Sequence, residues 1–211
     1  PGKNSEKGLK NALPRFEQLP IIASDPATVN SFRQVVRAAA YASPILLLGE
    51  TGVGKDLMAK YIHLLQPTKN PVPFIEVNCS AIPGDLLESE LFGYEEGAFS
   101  GACKGGKTGL FAAADGGFLF LNEISEIPLG LQAKLLTALD EGCIRPLGSS
   151  TTRKVRTRII SATNKDLHAC IQDGSFRSDL YYRIKVLTIK INPLRERKKD
   201  ILPLVHHFMS R

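Results

Sequence analysis

The chain has 211 residues, of which 43% are hydrophobic and 23% are charged, and this predicts one globular domain with at most a small appendage. Because no apolar run is long enough to span a membrane and residues 1–12 lack the apolar core of a signal peptide, we expect a cytoplasmic protein without a membrane contact. The net charge of +6 includes the basic runs Arg153–Arg158 and Arg195–Lys199, but without a helix-turn-helix pattern or an aromatic series these favour a solvated or subunit-facing surface over a DNA-reading one.

Short apolar runs alternate along the chain with stretches whose apolar residues have helical spacing, and they predict strands and helices respectively. Residues 1–19 are polar and irregular, which predicts a linker or tail before a domain over residues 20–211. In chain order, the predicted elements are a helix over Thr28–Tyr41, a strand over Ile45–Leu48, a helix over Asp56–Leu65, a strand over Phe74–Asn78, a helix over Pro83–Leu91, a strand over Phe118–Leu121, a helix through Leu131 and Leu139, strands over Arg158–Thr163 and Val186–Ile191, and a helix over Lys198–Met209. This alternation indicates a doubly wound α/β fold, with a five-stranded parallel sheet covered by helices on both faces.

The segment between the first predicted strand and the second helix has the spacing G-x-x-x-x-G-K of a phosphate-binding loop. Glycines allow the backbone N–H groups to approach phosphates, and the helix that follows adds partial positive charge. A glycine-rich loop can also be a structural turn, but the strand before it and the helix after it favour nucleotide binding. The residues predicted to contact the nucleotide are Gly49, Glu50, Thr51, Gly52, Val53, Gly54, Lys55 and Asp56.

The third predicted strand is followed directly by Asn122 and Glu123, at the edge where α/β sheets bind ligands. We expect Glu123 to polarise a water molecule for in-line attack on the γ-phosphate, with a helix-capping or solvated carboxylate as the alternative. Mg²⁺ prefers anionic oxygen ligands, so Asn122, whose amide oxygen carries no full charge, is expected to hold it weakly. Asp56 is the neighbouring carboxylate that would restore part of the charge.

A glycine-studded stretch over residues 93–109 contains the most specific motif of the chain. Glu90-Leu91-Phe92-Gly93 is followed by Gly97-Ala98-Phe99-Ser100-Gly101-Ala102. With the phosphate-binding loop, these residues resemble the AAA+ ATPase domain of bacterial enhancer-binding transcriptional activators, which act on the sigma-54 form of RNA polymerase. The resemblance covers about residues 20–211, and the hexapeptide is similar to the GAFTGA loop of that family, with Ser100 in place of threonine. It implies a loop that contacts the sigma factor and moves with the nucleotide state. Phe99 is then an exposed contact residue, and a buried anchor of a static loop is the alternative.

The resemblance also implies roles for single residues outside the phosphate-binding loop. Asn78 matches a position that switches the catalytic glutamate between partners, and Asn164 matches the first sensor of the γ-phosphate. Arg177 and Arg183 match the arginines offered to the nucleotide of a neighbouring subunit, unless they only pair with Asp179 or Asp173. ATP and Mg²⁺ are thus the implied cofactors, and a hexameric or heptameric ring of this chain is the implied assembly.

The sequence differs from the family pattern at two positions, and we expect a third difference in the helical lid. Asn122 stands where the family has an aspartate, and Ala112 stands where it commonly has a glutamate. We expect the helical lid to be absent because the chain ends at Arg211, and we expect DNA contact only through a module outside it. Two functions remain open: an ATPase that remodels the sigma-54 closed complex, and a nucleotide-gated scaffold that hydrolyses ATP weakly or not at all because of Asn122.

Overall fold

The computed structural model describes residues 21–66 and 71–210, so the linker or tail predicted for residues 1–19 lies outside the described residues. In chain order the elements are α1 (Pro26–Ala39), β1 (Ile45–Leu48), α2 (Lys55–Leu64), β2 (Phe74–Asn78), α3 (Gly84–Phe92), β3 (Gly93–Tyr94), β4 (Lys107–Thr108), α4 (Leu110–Ala113), β5 (Phe118–Asn122), α5 (Leu129–Glu141), β6 (Cys143–Ile144), β7 (Arg153–Lys154), β8 (Arg158–Thr163), α6 (Leu167–Gln172), α7 (Ser178–Ile184), β9 (Leu187–Lys190) and α8 (Ile201–Met209). None of the helices in the described ranges has both the length and the apolar character that crossing a membrane requires.

The predicted five-stranded parallel sheet is confirmed, and its strand order is β2-β5-β8-β1-β9. The central strands β5, β8 and β1 are almost continuously buried, whereas the edge strands β2 and β9 are partly exposed. This difference follows from the position of each strand, since a central strand is covered on both faces and therefore needs an uninterrupted apolar run.

Side chains of successive strand residues point to opposite faces of the sheet and build two apolar layers. In β5, Leu119 and Leu121 face the layer formed with α3, α5 and α7, while Phe118 and Phe120 face the layer formed with α1 and α2. In β1, Leu46 belongs to the first of these layers. The helices on both faces confirm the doubly wound fold.

Several predicted boundaries differ from the structure for local reasons. Helix α1 begins at Pro26 because the Asp25 side chain caps it, accepting a hydrogen bond of 3.0 Å from the N–H of Ala27. Pro83 caps α3 and is not part of it. The last predicted helix starts as a 3₁₀ turn at Lys198–Asp200 and becomes α-helical only at Ile201.

Two short antiparallel hairpins, β3–β4 and β6–β7, were not predicted. Each strand has two residues, which is too short to give a periodic signal in the sequence. The β3–β4 hairpin carries the glycine-studded segment, and β3 meets the other hairpin region through a bridge between Tyr94 and Leu147. The segment therefore projects from a paired base and not from an unstructured loop.

Asp200 connects the two ends of the described chain. Its side chain is fully buried and accepts hydrogen bonds of 2.7 Å from the N–H groups of both Ser24 and Asp25. The Thr28 hydroxyl donates to the other carboxylate oxygen, and the Arg197 guanidinium lies 3.9 Å from that same oxygen. Donors from the start of α1 thus compensate the buried charge of Asp200. In return, Asp200 fixes the start of α1 against the sheet edge.

We predict that Asp200→Asn lowers the free energy of unfolding by about 2 kcal/mol, because an amide loses charge-assisted hydrogen bonds and directs one NH₂ group at other donors. Chemical denaturation measures the change. Asp85→Asn on the exposed start of α3 is the control and should change the stability by only a few tenths of a kcal/mol. Equal effects of the two substitutions would contradict the anchoring role.

Candidate nucleotide-binding site

The loop Gly49–Gly54 joins the carboxyl end of β1 to the first turn of α2. Gly54 directly precedes the helix with φ of 101°, a backbone conformation that other residues rarely adopt. At Gly49 the constraint is space, since a Cβ atom there would lie 2.7 Å from the Ile191 carbonyl oxygen and 2.9 Å from Val53 Cγ2. Both glycines are therefore required by the path of the loop.

Lys55 lies inside this loop. Its side chain is only 5% exposed, and Nζ donates hydrogen bonds of 2.9 Å to the Gly49 carbonyl and 3.2 Å to the Glu50 carbonyl. Nζ also lies 3.4 Å from Oε1 of Glu123, which follows β5. The Lys55 charge thus lies between the phosphate-binding loop and the residue that follows β5, where phosphate groups would meet it.

Glu123 has a backbone conformation that is unusual for its type. With φ of 53°, it is the single non-glycine residue with positive φ among residues 21–66 and 71–210. Its Oε2 accepts a hydrogen bond of 3.2 Å from the N–H of Asn164. Glu123 precedes the 3₁₀ turn Ile124–Glu126 but makes no side-chain capping bond to it, so the helix-capping alternative is wrong. The strained backbone instead directs the carboxylate towards Lys55.

Asn164 follows β8 and connects that strand to the phosphate-binding loop. Its Nδ2 donates a hydrogen bond of 2.9 Å to Oγ1 of Thr51. The preceding residue, Thr163, is fully buried, and its hydroxyl lies 2.9 Å from the hydroxyl of Ser125. Sequence analysis did not identify Ser125, because a serine in a short turn carries no pattern that distinguishes it.

Asn122 and Asp56 form a hydrogen bond across the site. Nδ2 of Asn122 donates to Oδ1 of Asp56 at 3.1 Å, and Oδ1 of Asn122 accepts from the N–H of Glu123 at 3.1 Å. No cluster of three or more His, Cys, Asp or Glu side chains suited to a metal occurs in the part of the chain that the structure describes. Mg²⁺ commonly takes only one or two carboxylates, with water and phosphate oxygens as the other ligands. Asp56 can supply one such carboxylate, and Asn122 Oδ1 can act as a further ligand through the lone pair that its hydrogen bond from the Glu123 N–H leaves free.

Asn78 lies at the end of β2, in register with Asn122 of β5. Its Oδ1 accepts hydrogen bonds of 3.1 Å from the N–H and 2.8 Å from the hydroxyl of Ser80. The structure therefore places Asn78 at the correct edge of the sheet but pairs its side chain within its own turn, and the partners of the Glu123 carboxylate are Lys55 and Asn164.

Arg177 and Arg183 do not line the cavity at the phosphate-binding loop. Arg177 makes two hydrogen bonds, of 3.0 and 2.7 Å, to Asp179, as the alternative interpretation anticipated. Arg183 pairs with Asp140 of α5 at 2.9 Å and not with Asp173. Both arginine side chains are almost half exposed, so both remain accessible from outside the chain.

The hexapeptide Gly97–Ala102 forms the tip of the segment carried by the β3–β4 hairpin. Phe99 is 43% exposed, and the edge of its ring contacts Tyr94, with 5.0 Å between the ring centroids. Ala98 packs so closely on Gly148 that a Cβ atom at Gly148 would lie 2.8 Å from the Ala98 methyl group. The alternative of a buried Phe99 is therefore wrong, and the tip rests on the region between β6 and β7.

Two arginines contact the outer side of the phosphate-binding loop, which sequence analysis missed. Arg195 donates two hydrogen bonds, of 2.7 and 2.5 Å, to the Glu50 carboxylate, and this pairing lowers the pKa of Glu50. Arg197 donates to the Val53 carbonyl at 2.8 Å. Arg195 is 64% exposed, as expected of a solvated surface, whereas Arg197 is only 14% exposed, so the prediction of a solvated or subunit-facing surface is wrong for Arg197.

The cavity at the phosphate-binding loop has a volume of about 470 Å³. It combines predicted loop residues with the end of β5 and with one face of α2. Its lining residues are Thr51, Gly52, Gly54, Lys55, Asp56, Leu57, Lys60, Asn122 and Glu123. Leu57 and Lys60 were not predicted to belong to it, and they enter because the first turns of α2 form one wall.

The chain is similar to a known family and to several transcription regulators. A family model described as the sigma-54 interaction domain matches residues 21–190. The chain is 52% identical over 177 residues to the sigma-54-dependent transcriptional regulator UacR of Escherichia coli strain K12, a match that covers 84% of this chain and 30% of UacR. It is 50% identical over 190 residues to the nitric oxide reductase transcription regulator NorR2 of Cupriavidus necator, covering 90% of this chain and 36% of NorR2.

Among solved structures, NtrX from Brucella abortus in complex with ATP matches with a TM-score of 0.84 at 31% sequence identity. The match covers 99% of this chain and 44% of the NtrX chain. A second structure of NtrX, in complex with ADP, matches with a TM-score of 0.83. The chain thus spans about a third of the length of the curated relatives named above.

We predict that Lys55→Ala weakens nucleotide binding by about tenfold to a hundredfold, because hydrogen bonds to a charged group contribute about 1.5–3 kcal/mol. Titration with a fluorescent ATP analogue measures the affinity, and thermal unfolding establishes that the variant is folded. Lys60→Ala is the matched control, since Lys60 lines the same cavity but is 47% exposed and paired with Glu76. Unchanged affinity in a folded Lys55→Ala variant would contradict the assignment of the loop.

Proposed function

This chain belongs to the sigma-54 interaction domain family, and on that premise we propose that it binds and hydrolyses ATP to remodel the closed complex of sigma-54 RNA polymerase and so activate transcription. Its fold is that of AAA+ P-loop NTPase domains, which supports a nucleotide-dependent mechanism. The ATP and ADP complexes of NtrX support the choice of nucleotide. We further propose that the protein acts in the cytoplasm.

The observation that carries this proposal is the meeting of Lys55 and Glu123, whose charged groups lie 3.4 Å apart at the carboxyl edge of the sheet. Lys55 would turn from the loop carbonyls to the β- and γ-phosphates when nucleotide enters. Glu123, released from that ion pair but still held by the N–H of Asn164, would orient a water molecule for in-line attack. Positioned groups of this kind accelerate proton transfer by about 10²–10⁴-fold.

The remaining residues of the site would bind and sense the nucleotide. Asn164 would report the γ-phosphate to the loop through its hydrogen bond with Thr51. When bound, Mg²⁺ screens the negative charge of the phosphates, and Asp56 with Asn122 would hold it. Asn78 would exchange its Ser80 contact for the Glu123 carboxylate in one nucleotide state.

A complete site requires a second subunit in this proposal. Arg177 and Arg183 lie on the surface, away from the cavity of their own chain, and their carboxylate partners are exposed enough to be exchanged. An arginine supplied by a neighbour stabilises charge on the transferring phosphoryl group. We therefore propose a ring of six or seven copies in which each copy completes the site of the next.

The Gly97–Ala102 tip is the proposed contact with the sigma-54 factor. Its exposed Phe99 and small flanking residues form an apolar end on a hairpin that stands apart from the nucleotide site. Sequence-specific DNA contact is assigned to a module outside this chain, because a basic charge without a groove-reading element favours no direct readout.

The hydrogen bond between Asn122 and Asp56 favours a second candidate, a nucleotide-gated scaffold with weak or no hydrolysis. An amide provides no formal charge beside the phosphates, so developing charge in the transition state would receive less compensation. In that case nucleotide binding alone would set the position of the tip.

Glu123→Gln distinguishes the two candidates. If the protein is an ATPase, this variant should bind ATP normally and lose about two orders of magnitude or more of Mg²⁺-ATP turnover, because the amide cannot accept the proton of the water. Phosphate release by the full-length protein measures turnover. Glu126→Gln, which removes a surface pair with Lys165, is the control. A wild-type rate no higher than that of Glu123→Gln would establish the scaffold instead.

Phe99→Ala should separate hydrolysis from sigma-54 engagement. Loss of a central aromatic contact commonly costs about 2 kcal/mol or more in binding, whereas the nucleotide site is untouched. We expect normal nucleotide affinity, weak capture of the sigma-54 factor in the presence of a transition-state mimic, and no open-complex formation. Tyr41→Ala, at an aromatic residue just after α1 that is even more exposed than Phe99, should preserve all three. If Phe99→Ala still captured the sigma-54 factor, another part of residues 93–109 would have to make the contact.

A further inference from the structure

The hydrogen bond between Asn122 and Asp56 has a fixed direction. Because the backbone N–H of Glu123 needs an acceptor and lies 3.1 Å from Asn122 Oδ1, the amide oxygen must face Glu123. The NH₂ group of Asn122 therefore faces Asp56, where it donates at 3.1 Å. A carboxylate at position 122 could accept from Glu123 in the same way but would place a second anionic oxygen beside Asp56.

Each carboxylate that lines the cavity has a partner in the protein. The Lys55 ammonium lies 3.4 Å from the Glu123 carboxylate, and the Asn122 NH₂ group donates to Asp56, whereas Lys60 is paired with Glu76 outside the lining. The first turn of α2 and the N–H groups of the loop add partial positive charge on the same side. An aspartate at position 122 would remove the donor to Asp56 and add a second carboxylate beside it, and this pair would repel a triphosphate unless a cation were bound.

We propose that Asn122 takes the place of the divalent cation in neutralising and positioning Asp56, so that this site binds nucleotide without requiring Mg²⁺. The amide holds the carboxylate in position before any ligand arrives, and it adds no second negative charge where the phosphates would meet the loop lysine. This inference rests on the proposed nucleotide site and concerns its binding step, not the rate of hydrolysis.

The experiment compares the affinity of the full-length protein for a fluorescent ATP analogue in excess Mg²⁺ and in EDTA. For the wild type, we expect the two affinities to agree within about threefold. For Asn122→Asp, we expect the affinity in EDTA to fall by about tenfold or more relative to Mg²⁺, because two adjacent carboxylates then face the phosphates. Asn30→Asp, on the exposed surface of α1, adds the same charge elsewhere and should behave as the wild type.

A second variant tests whether the hydrogen bond itself is responsible. Asn122→Asp combined with Asp56→Asn reverses donor and acceptor while keeping the net charge, so binding in EDTA should recover. Thermal unfolding without nucleotide gives an independent readout: Asn122→Asp should be less stable in EDTA than in Mg²⁺, whereas the wild type and the double variant should unfold at the same temperature in both.

The outcomes separate this inference from the proposed function. Wild-type binding that appears only with Mg²⁺ overturns the inference and leaves the nucleotide site intact. Equal binding by Asn122→Asp in EDTA and Mg²⁺ likewise overturns the role of Asn122. Absence of binding under both conditions overturns the proposed nucleotide site and the inference with it.

Discussion

The parallel strand order β2-β5-β8-β1-β9 is the constraint on which the site depends. In parallel strands all carboxyl ends lie at one edge, so the residues that follow β1, β5 and β8 meet although they are far apart in sequence. These residues are the phosphate-binding loop, Glu123 and Asn164. The order is stable because the three central strands are buried on both faces, between α1 and α2 on one side and α3, α5 and α7 on the other.

Electrostatics then determines the state of the site in the absence of nucleotide. Lys55 is almost fully buried and satisfies its charge with two loop carbonyls and the Glu123 carboxylate. Glu123 is held in a strained backbone conformation that only such surrounding contacts can maintain. A ligand with negative charge would compete for the lysine and so release the glutamate. The same ion pair stabilises the site and, in the proposed function, would respond to phosphate.

The phosphate-binding loop is also held from outside. The paired Arg195 and Glu50 join the loop to the segment after β9, and Arg197 reaches the Val53 carbonyl from the same segment. That segment continues into Asp200, whose buried carboxylate fixes the start of α1. The contacts of Arg197 and Asp200 therefore connect the phosphate-binding loop to the start of the last helix.

Local patterns in the sequence determined the elements and the identity of the main groups. The strands β1, β2 and β8 have the residues that were predicted, and Lys55, Glu123 and the Gly97–Ala102 tip were identified because each belongs to a continuous motif. The tertiary structure alone decided the pairings. Asn164 with Thr51 and Arg195 with Glu50 are separated by 113 and 145 residues, and no periodicity or spacing rule relates residues at such distances. Asn122 and Asp56 were expected to be neighbours, but only the structure shows that they bond directly to each other. The two-residue hairpins likewise carry no periodic signal, since their pairing depends on packing against neighbours and not on their own sequence.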